Sequence, residues 1–309
     1  MGYWGDQSSL DDLCLRVRWV YEWKREPNWK IRQISYPFTL IWLILSGNKT
    51  LQFPEAEYTL KKGDLVVIPP QVLFKTITDI NETETEQFHY LALACEARIG
   101  SFDLVTIYDF PLVTPITSLD SIQSFIALWY RLLQQMDHFL TSLNSDTTSL
   151  PNLETFLNRS VILNTVQTLD YFQLHSLGTQ WLTDVIRIVH PCLPPTPHLI
   201  DSRIQKACTF IRNRLNEDIS LSILAHHCFL SENHLILLFN RALHITPMKY
   251  VRQERIRYAR ELLLMTSCSM NEIAQMCGFA DSSPFSRSFR LEVGISPQQY
   301  RKQSNDNLL

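Results

Sequence analysis

The spacing of apolar residues changes period along the chain, and each change marks a new kind of element. Over residues 15–110 the pattern is that of short strands between turn signals. Val17, Trp19, Tyr21 and Trp23 alternate with Arg16, Arg18, Val20 and Glu22, the period of two expected of a half-buried strand. Residues 39–45 are apolar on both faces and predict a covered strand that ends at Ser46-Gly47-Asn48. Tyr58 leads into a turn at Lys61-Lys62-Gly63-Asp64, and Leu65-Val66-Val67-Ile68 then runs to Pro69-Pro70. Residues 88–95 read as a further strand. Several short strands at regular spacing argue a barrel or jelly roll. From residue 118 the period becomes helical: Ile122, Phe125, Ile126, Trp129, Leu132, Leu133 and Met136 form one stripe. A polar loop at 141–151 separates it from a mainly helical stretch between Leu153 and about Val189, with a break near Gly178. Pro191, Pro194, Pro195 and Pro197 then stiffen the chain and exclude a helix, so the domain boundary falls there.

Residues 219–301 hold the same unit written twice. At an offset of 50, Leu235 lands on Phe285, Phe239 on Phe289, Ile245 on Ile295, Pro247 on Pro297 and Tyr250 on Tyr300. Upstream the offset is 49, matching Leu224-Ala225 to Ile273-Ala274 and Cys228 to Cys277, so the second copy has one extra residue in its turn. Each copy predicts a short helix with a small Ala, a tight turn, and a helix with apolar residues at i, i+3 and i+4. That is a helix-turn-helix pattern, and in the first copy those residues are Leu235, Leu238 and Phe239. Ser269-Met270-Asn271-Glu272 fits a capping box, Gly278 supplies the turn, and Asp281 or Ser282 caps the next helix. Thr246-Pro247 and Ser296-Pro297 are each a cap followed by proline at the first helical position, where no amide donor is needed.

Ile273-Ala274, Cys277-Gly278-Phe279-Ala280-Asp281-Ser282-Ser283, Phe285-Ser286-Arg287, Phe289-Arg290, Gly294-Ile295-Ser296-Pro297 and Tyr300-Arg301 together resemble the C-terminal signature of the AraC/XylS family. The resemblance covers roughly the last third of the chain, and its many fixed spacings make it far more specific than a short motif. A weaker resemblance to the family's cupin-like sensor covers the first ~110 residues and rests on the Gly63-Asp64 turn with its Ile68-Pro69-Pro70 exit. It implies a bacterial transcription regulator with two helix-turn-helix units. It also implies that the helices after the sensor carry a dimer contact, the alternative being that they only cover the barrel.

Charge adds to this picture. From Ile200 onward there are 14 Lys+Arg against 10 Asp+Glu, while the rest of the chain has 14 against 21. A basic C-terminal part beside an acidic N-terminal one fits nucleic-acid binding on one side only. The seven cysteines are scattered and never form Cys-x-x-Cys, which argues for reduced thiols over a disulfide framework or zinc site. Met1-Gly2-Tyr3-Trp4-Gly5-Asp6 lacks a basic region followed by an apolar stretch, so no signal peptide is expected, and Asp6 breaks the myristoylation pattern. No uncharged apolar run approaches the ~18 residues of a membrane span. A cytoplasmic location and no membrane partner are expected.

Candidate chemistry is sparse in the sensor. Phe74 stands after Pro69-Pro70, where a metal cupin commonly offers His; His89 is alone in its strand, and no His-x-His occurs. No metal ligand, catalytic residue or cofactor is therefore assigned. His226-His227 reads as solvated or phosphate-facing. Trp19, Tyr21 and Trp23, with Trp42 and Tyr90 as neighbours, admit two readings: a wall that stacks on a sugar or flat ligand, or ordinary barrel core. The core reading is preferred, because large aromatics readily fill interiors.

DNA reading has stronger candidates. In a helix-turn-helix the second helix enters the major groove, and residues off its core face reach bases or phosphates. In the second copy these are Ser282, Ser283, Ser286, Arg287 and Arg290; in the first, Glu232, Asn233, Ile236, Leu237, Asn240 and Arg241. A connecting helix from Pro247 to about Leu264 spans on the order of 27 Å, close to the ~34 Å of one DNA turn, so both reading helices could enter successive grooves. The first copy departs from the family pattern. Ile236 and Leu237 stand opposite Ser286 and Arg287, and Phe229 and His244 replace usual glycines.

The sequence thus predicts an α+β protein: a cupin-like β-barrel or jelly-roll sensor (1–117), a helical dimerisation segment (118–190), a Pro-rich linker (191–199) and an all-α domain with two helix-turn-helix units (200–309). Its expected function is sequence-specific transcription regulation, by resemblance activation. The expected partners are operator DNA, RNA polymerase and a second subunit, with a small-molecule effector for which a carbohydrate is the family-based guess. The competing readings are a cupin-type enzyme with a DNA-binding tail and a ligand-independent regulator acting through protein contacts.

Overall fold

The computed structural model describes residues 13–77, 87–100, 102–145, 163–195, 201–243 and 245–308. The N-terminal hexapeptide, the end of the 141–151 loop, residues 153–162, part of the proline-rich linker and His244 lie outside them. Two units make up the chain, residues 1–197 and 198–309.

The first unit is built on two antiparallel sheets, as the strand pattern predicts. Strands β1 (Leu13–Arg25), β7 (Phe88–Ile99), β2 (Thr39–Ser46), β5 (Asp64–Ile68) and β9 (Val113–Pro115) form the larger sheet in that order, with β8 (Phe102–Asp103) attached to β7. Strands β4 (Glu57–Leu60), β3 (Lys49–Gln52) and β6 (Lys75–Ile77) form the smaller. Both faces of β2 are covered, because successive side chains point to opposite sides and both sides have a neighbour. Ile41 and Leu43 join Leu91, Leu93, Leu65 and Val67 in one core with two long helices, α2 (Leu119–Ser145) and α3 (Thr165–Val189). Trp42 points the other way, into an aromatic cluster with Tyr90 at 5.0 Å and Phe74 at 6.0 Å. A one-turn helix, α1 (Leu104–Ile107), closes the sheet end.

Three expectations are corrected here. The alternation in β1 fails because its register shifts between Val17 and Trp19. A bulge of one residue inverts which side chains face in, so Arg18 and Val20 are buried and Tyr21 is exposed. Arg18 is tolerated there because Glu96 accepts from its guanidinium, and Glu96 also pairs with Arg98 at 2.9 Å, which reaches Asp103 at 3.4 Å. Burial opposes the Glu96 charge, but the guanidiniums of Arg18 and Arg98 outweigh it and hold the carboxyl below its ordinary range. Burial instead dominates at Asp103, which is pushed up to about 6. Second, α2 continues to Ser145, past the start of the predicted polar loop. Third, α3 runs unbroken through Gly178. A side chain on Gly178 would meet Val17 Cγ2 at 3.1 Å, so the glycine lets the helix lie close on β1 instead of breaking it. The capping box at its start, Asn164 with Gln167, sets where it begins.

The second unit is all helical: α4 (Ser202–Asn213), α5 (Leu221–His227), α6 (Glu232–Leu243), α7 (Pro247–Met265), α8 (Met270–Met276), α9 (Ser282–Val293) and α10 (Pro297–Leu308). The predicted caps are in place. Ser269 accepts from Glu272 N while Glu272 accepts from Ser269 N, Thr246 accepts from Lys249 N, and Asp281 caps α9. The Phe279 amide bonds back to Ala274 as that of Leu230 does to Ala225, and Asp281 caps its helix as Ser231 does, so Ala280 is the extra turn residue of the second copy.

Candidate nucleic-acid interface

The two helix-turn-helix units are α5–α6 and α8–α9. In each, the second helix buries a stripe and leaves the opposite arc free. On α9, Phe285 and Phe289 are fully buried. At 100° per residue, Ser282, Ser286, Arg290, Ser283 and Arg287 fall within an arc of roughly 140° that starts beside Phe289 and ends, at Arg287, opposite the buried stripe. Ser283, Arg287 and Arg290 are exposed, and Ser282 and Ser286 half-buried. None of these side chains makes a hydrogen bond or ion pair among the described residues. Asp281 is occupied with the Ser283 amide at 2.7 Å, so the α9 N-terminus is capped and its surface polar.

On α6, Leu235, Leu238 and Phe239 are buried, and the same arc holds Glu232, Ile236, Asn240, Asn233 and Leu237, with Arg241 at its margin. Glu232, Asn233, Asn240 and Arg241 are exposed; Ile236 is half-buried and Leu237 is 49% exposed. The structure therefore gathers the predicted residues on one face of each reading helix. The two faces differ in chemistry: α9 offers two cations and three hydroxyls, whereas α6 offers an acid, two amides, one cation and two apolar side chains.

The connecting helix α7 explains how the two units are held, and the sequence reading missed it. Arg252, Arg255, Arg257 and Arg260 stand among the charges that suggested DNA binding, yet each is engaged within the fold, Arg257 and Arg260 buried and Arg252 and Arg255 half-buried. Arg252 pairs with Glu292 at the end of α9 at 2.9 Å. Arg257 donates to Glu254 at 2.6 Å, and Arg212 of α4 reaches the same carboxylate at 3.4 Å. Arg260 donates to Tyr300 Oη at 3.3 Å. Arg255 reaches furthest, donating to the carbonyls of Leu215 at 3.0 Å and Glu217 at 2.7 Å, in the loop before α5. Desolvation lowers its pKa, without threatening its charge. Gly278 packs against this latch in a left-handed conformation (φ 74°), where a Cβ would lie 2.2 Å from the Leu215 carbonyl oxygen and 2.9 Å from Arg255 Nη2. The turn of the second unit is thus seated on the lead-in of the first. The available signal was four arginines close together on a helix with a helix-turn-helix on each side.

Sensor residues fall into two sets. Trp42 and Tyr90 are buried in the aromatic cluster, as the core reading expects. Trp19, Tyr21 and Trp23 form a ladder along β1 with ring centroids 5.3 Å apart, and Tyr21 is 45% exposed. The expectation of ordinary core is corrected for Tyr21 alone; Trp19 and Trp23 are half-buried, and Trp19 packs edge-on against buried Phe38. Arg25 lies over Trp23 at 4.0 Å and closes that end of the ladder. Among the described residues, no three His, Cys, Asp or Glu side chains are grouped as a metal site.

Comparison with known families agrees with this geometry. The helix-turn-helix domain family matches residues 224–303, and the AraC-like ligand binding domain family matches residues 20–137. The chain belongs to the AraC family. The regulatory protein PocR of Salmonella typhimurium is 37% identical over 113 residues, 37% of this chain and 37% of that protein. The melibiose operon regulatory protein of Escherichia coli is 37% identical over 95 residues, 31% of this chain and 32% of that one. The chain is thus matched over about a third of the length of these AraC-family relatives. A crystal structure of an AraC-type regulator from Chromobacterium violaceum is 30% identical, covering 33% of this chain and 92% of that one with a TM-score of 0.32. Among the described residues, no helix is long and apolar enough to cross a membrane.

Proposed function

We propose that this AraC-family chain is a sequence-specific transcription regulator that reads DNA chiefly through its second helix-turn-helix. The observation that carries this is the polar face of α9, where Arg287 and Arg290 stand exposed without partners among the described residues while the arginines of α7 are all engaged. Arg287 sits mid-helix, where a guanidinium can take both acceptors of a guanine, and the serines beside it suit phosphates or base edges. Activation through RNA polymerase, a homodimer held through the α2–α3 segment and control by a small molecule acting on the first unit belong to the same reading. The named relatives are regulators, which favours this over an enzyme with a DNA-binding tail.

Arg287→Ala tests the assignment. It is expected to cost about 1–3 kcal/mol of operator affinity, with the loss concentrated on operators carrying one particular base pair. A uniform loss over all sequences, with a shallower salt dependence, would assign Arg287 to a phosphate instead.

A further inference from the structure

The first unit has a cavity away from its aromatic cluster, where the N-terminal half of β1 meets α2 and α3. It measures about 230 Å³. Met136, Phe139 and Leu140 of α2, Leu174 of α3, and Leu15 and Val17 of the strand form its apolar wall. Gly178 brings α3 close to Val17 and Leu15, and Leu174 lines the space one turn earlier on the same helix.

Its polar groups are two guanidiniums, a phenol and an imidazole. Arg16, Arg18, Tyr171 and His175 complete the lining, and no carboxylate is among them. Arg18 is occupied by Glu96, which also holds Arg98. Arg16 is exposed and makes no ion pair or hydrogen bond among the described residues; its cross-strand neighbour Glu96, which feels its charge, is already engaged by Arg18 and Arg98. His175, also exposed, has the Tyr171 ring beside it at 6.3 Å. An enclosed apolar wall with a free guanidinium at its edge suits a molecule with one hydrophobic body and one anionic head. A cavity of roughly 150 Å³ already admits benzene, so this one has room for a ring or short chain together with its head group.

We propose that this cavity is an effector site of the sensor, taking a compact apolar monocarboxylate whose head meets Arg16 and whose body packs against Met136, Phe139 and Leu174. The inference rests on the reading of the chain as an effector-controlled regulator and names the site and ligand class. Leu174 is buried on the inner side of α3 and Tyr171 and His175 flank it, while Val166, Leu169 and Phe172 are exposed on its outer side. An occupant therefore bears on the helix that offers the apolar face for a second subunit.

The test uses the full chain with octanoate and phenylacetate as probes and their uncharged amides as controls, read by calorimetry and thermal shift. The acids are expected to bind and raise Tm, and the amides to bind at least tenfold more weakly. Arg16→Gln, at an exposed position that cannot unfold the sheet, is expected to abolish that preference, and Leu174→Trp to block both classes by filling the space. Equal binding of acids and amides, indifference to Arg16→Gln, or no binding of either acid at millimolar concentration would overturn the site. Operator binding by the same preparation separates the outcomes: if it persists without any acid binding, only the cavity assignment falls, and if operator binding is itself absent, the regulator reading falls.

Discussion

Phe239 and Phe289 occupy the same place in two copies of one unit, each buried against a tyrosine at the start of the following helix, Tyr250 at 5.8 Å and Tyr300 at 5.6 Å. Leu224-Ala225 and Ile273-Ala274 are likewise buried on both first helices. Surfaces have not kept pace with these cores. Where the second copy has Ser286-Arg287 the first has Ile236-Leu237, and where the second has Gly278 in the turn the first has Phe229. Phe229 keeps the left-handed backbone (φ 56°) that suits glycine, with its ring 92% exposed. Packing preserves the fold of each copy because interior density tolerates little change, while the outer arc answers only to whatever it touches. The first copy has kept the scaffold and changed its contacts.

The turn is where the copies can be separated most sharply. Gly278→Ala places a Cβ against the Leu215 carbonyl and forces a left-handed alanine, so a loss of about 3 kcal/mol or more is expected, seen as a lower denaturation midpoint of the full chain. Phe229→Gly at the matching position removes strain but adds unfolded-state freedom, and is expected to stay within about 1 kcal/mol of wild type. Similar losses at both positions would mean that the latch around Gly278 contributes nothing beyond an ordinary turn.

Next in size is the latch itself. Arg255→Ala leaves the Leu215 and Glu217 carbonyls without their donor, at an expected cost of about 2 kcal/mol in stability. Because Arg255 fixes one unit against the other, the variant is also expected to discriminate less between operators whose two half-sites are moved apart by a base pair. Arg255→Lys has no fork to span two carbonyls and is expected to resemble the alanine variant. An unchanged spacing preference in Arg255→Ala, measured by titration against a spacing series, would show that α7 alone holds the two reading helices.

The sequence carried the architecture because periodicity and caps are local. The switch from a period of two to a helical stripe at 118, the Ser269–Glu272 box and the repeat offset each depend on neighbours in the chain. What it hid depends on contacts between distant residues. Arg18 alternates like a solvent-facing residue and is turned inward by one bulge opposite Cys95 and Ala94. Gly178 reads as a helix break until β1 is laid against it. Three of the four arginines of α7, Arg252, Arg255 and Arg260, count as DNA-binding charge until their partners, at Glu292, Leu215, Glu217 and Tyr300, are brought near by folding. Of the candidate site, residue identities were legible from the arc argument alone; which charges remain free was not.

The smallest expected change tests the first copy's outer face. Leu235 to Phe239 are five apolar residues in a row, more than one helical turn, so they cannot all face the core. Leu235, Leu238 and Phe239 take the buried positions, and Ile236 and Leu237 are left on the arc that α9 fills with Ser286 and Arg287. Apolar side chains in a major groove can meet thymine methyls, but such contacts discriminate weakly beside a bidentate arginine. An exposed apolar pair is better explained by a protein surface that covers it. The double substitution Ile236→Ser, Leu237→Arg gives α6 the chemistry of α9 at both positions and adds a cation where phosphates pass. Operator affinity is expected to hold or rise, by up to about 1 kcal/mol, with unfolding unchanged because neither side chain belongs to the buried stripe. Transcription output is expected to fall if the pair is a docking surface, even as DNA binding holds. A sharp loss of operator affinity in a folded variant would instead establish that the first unit reads bases through these two side chains, and that the two copies differ in the bases they select and not in whether they read them.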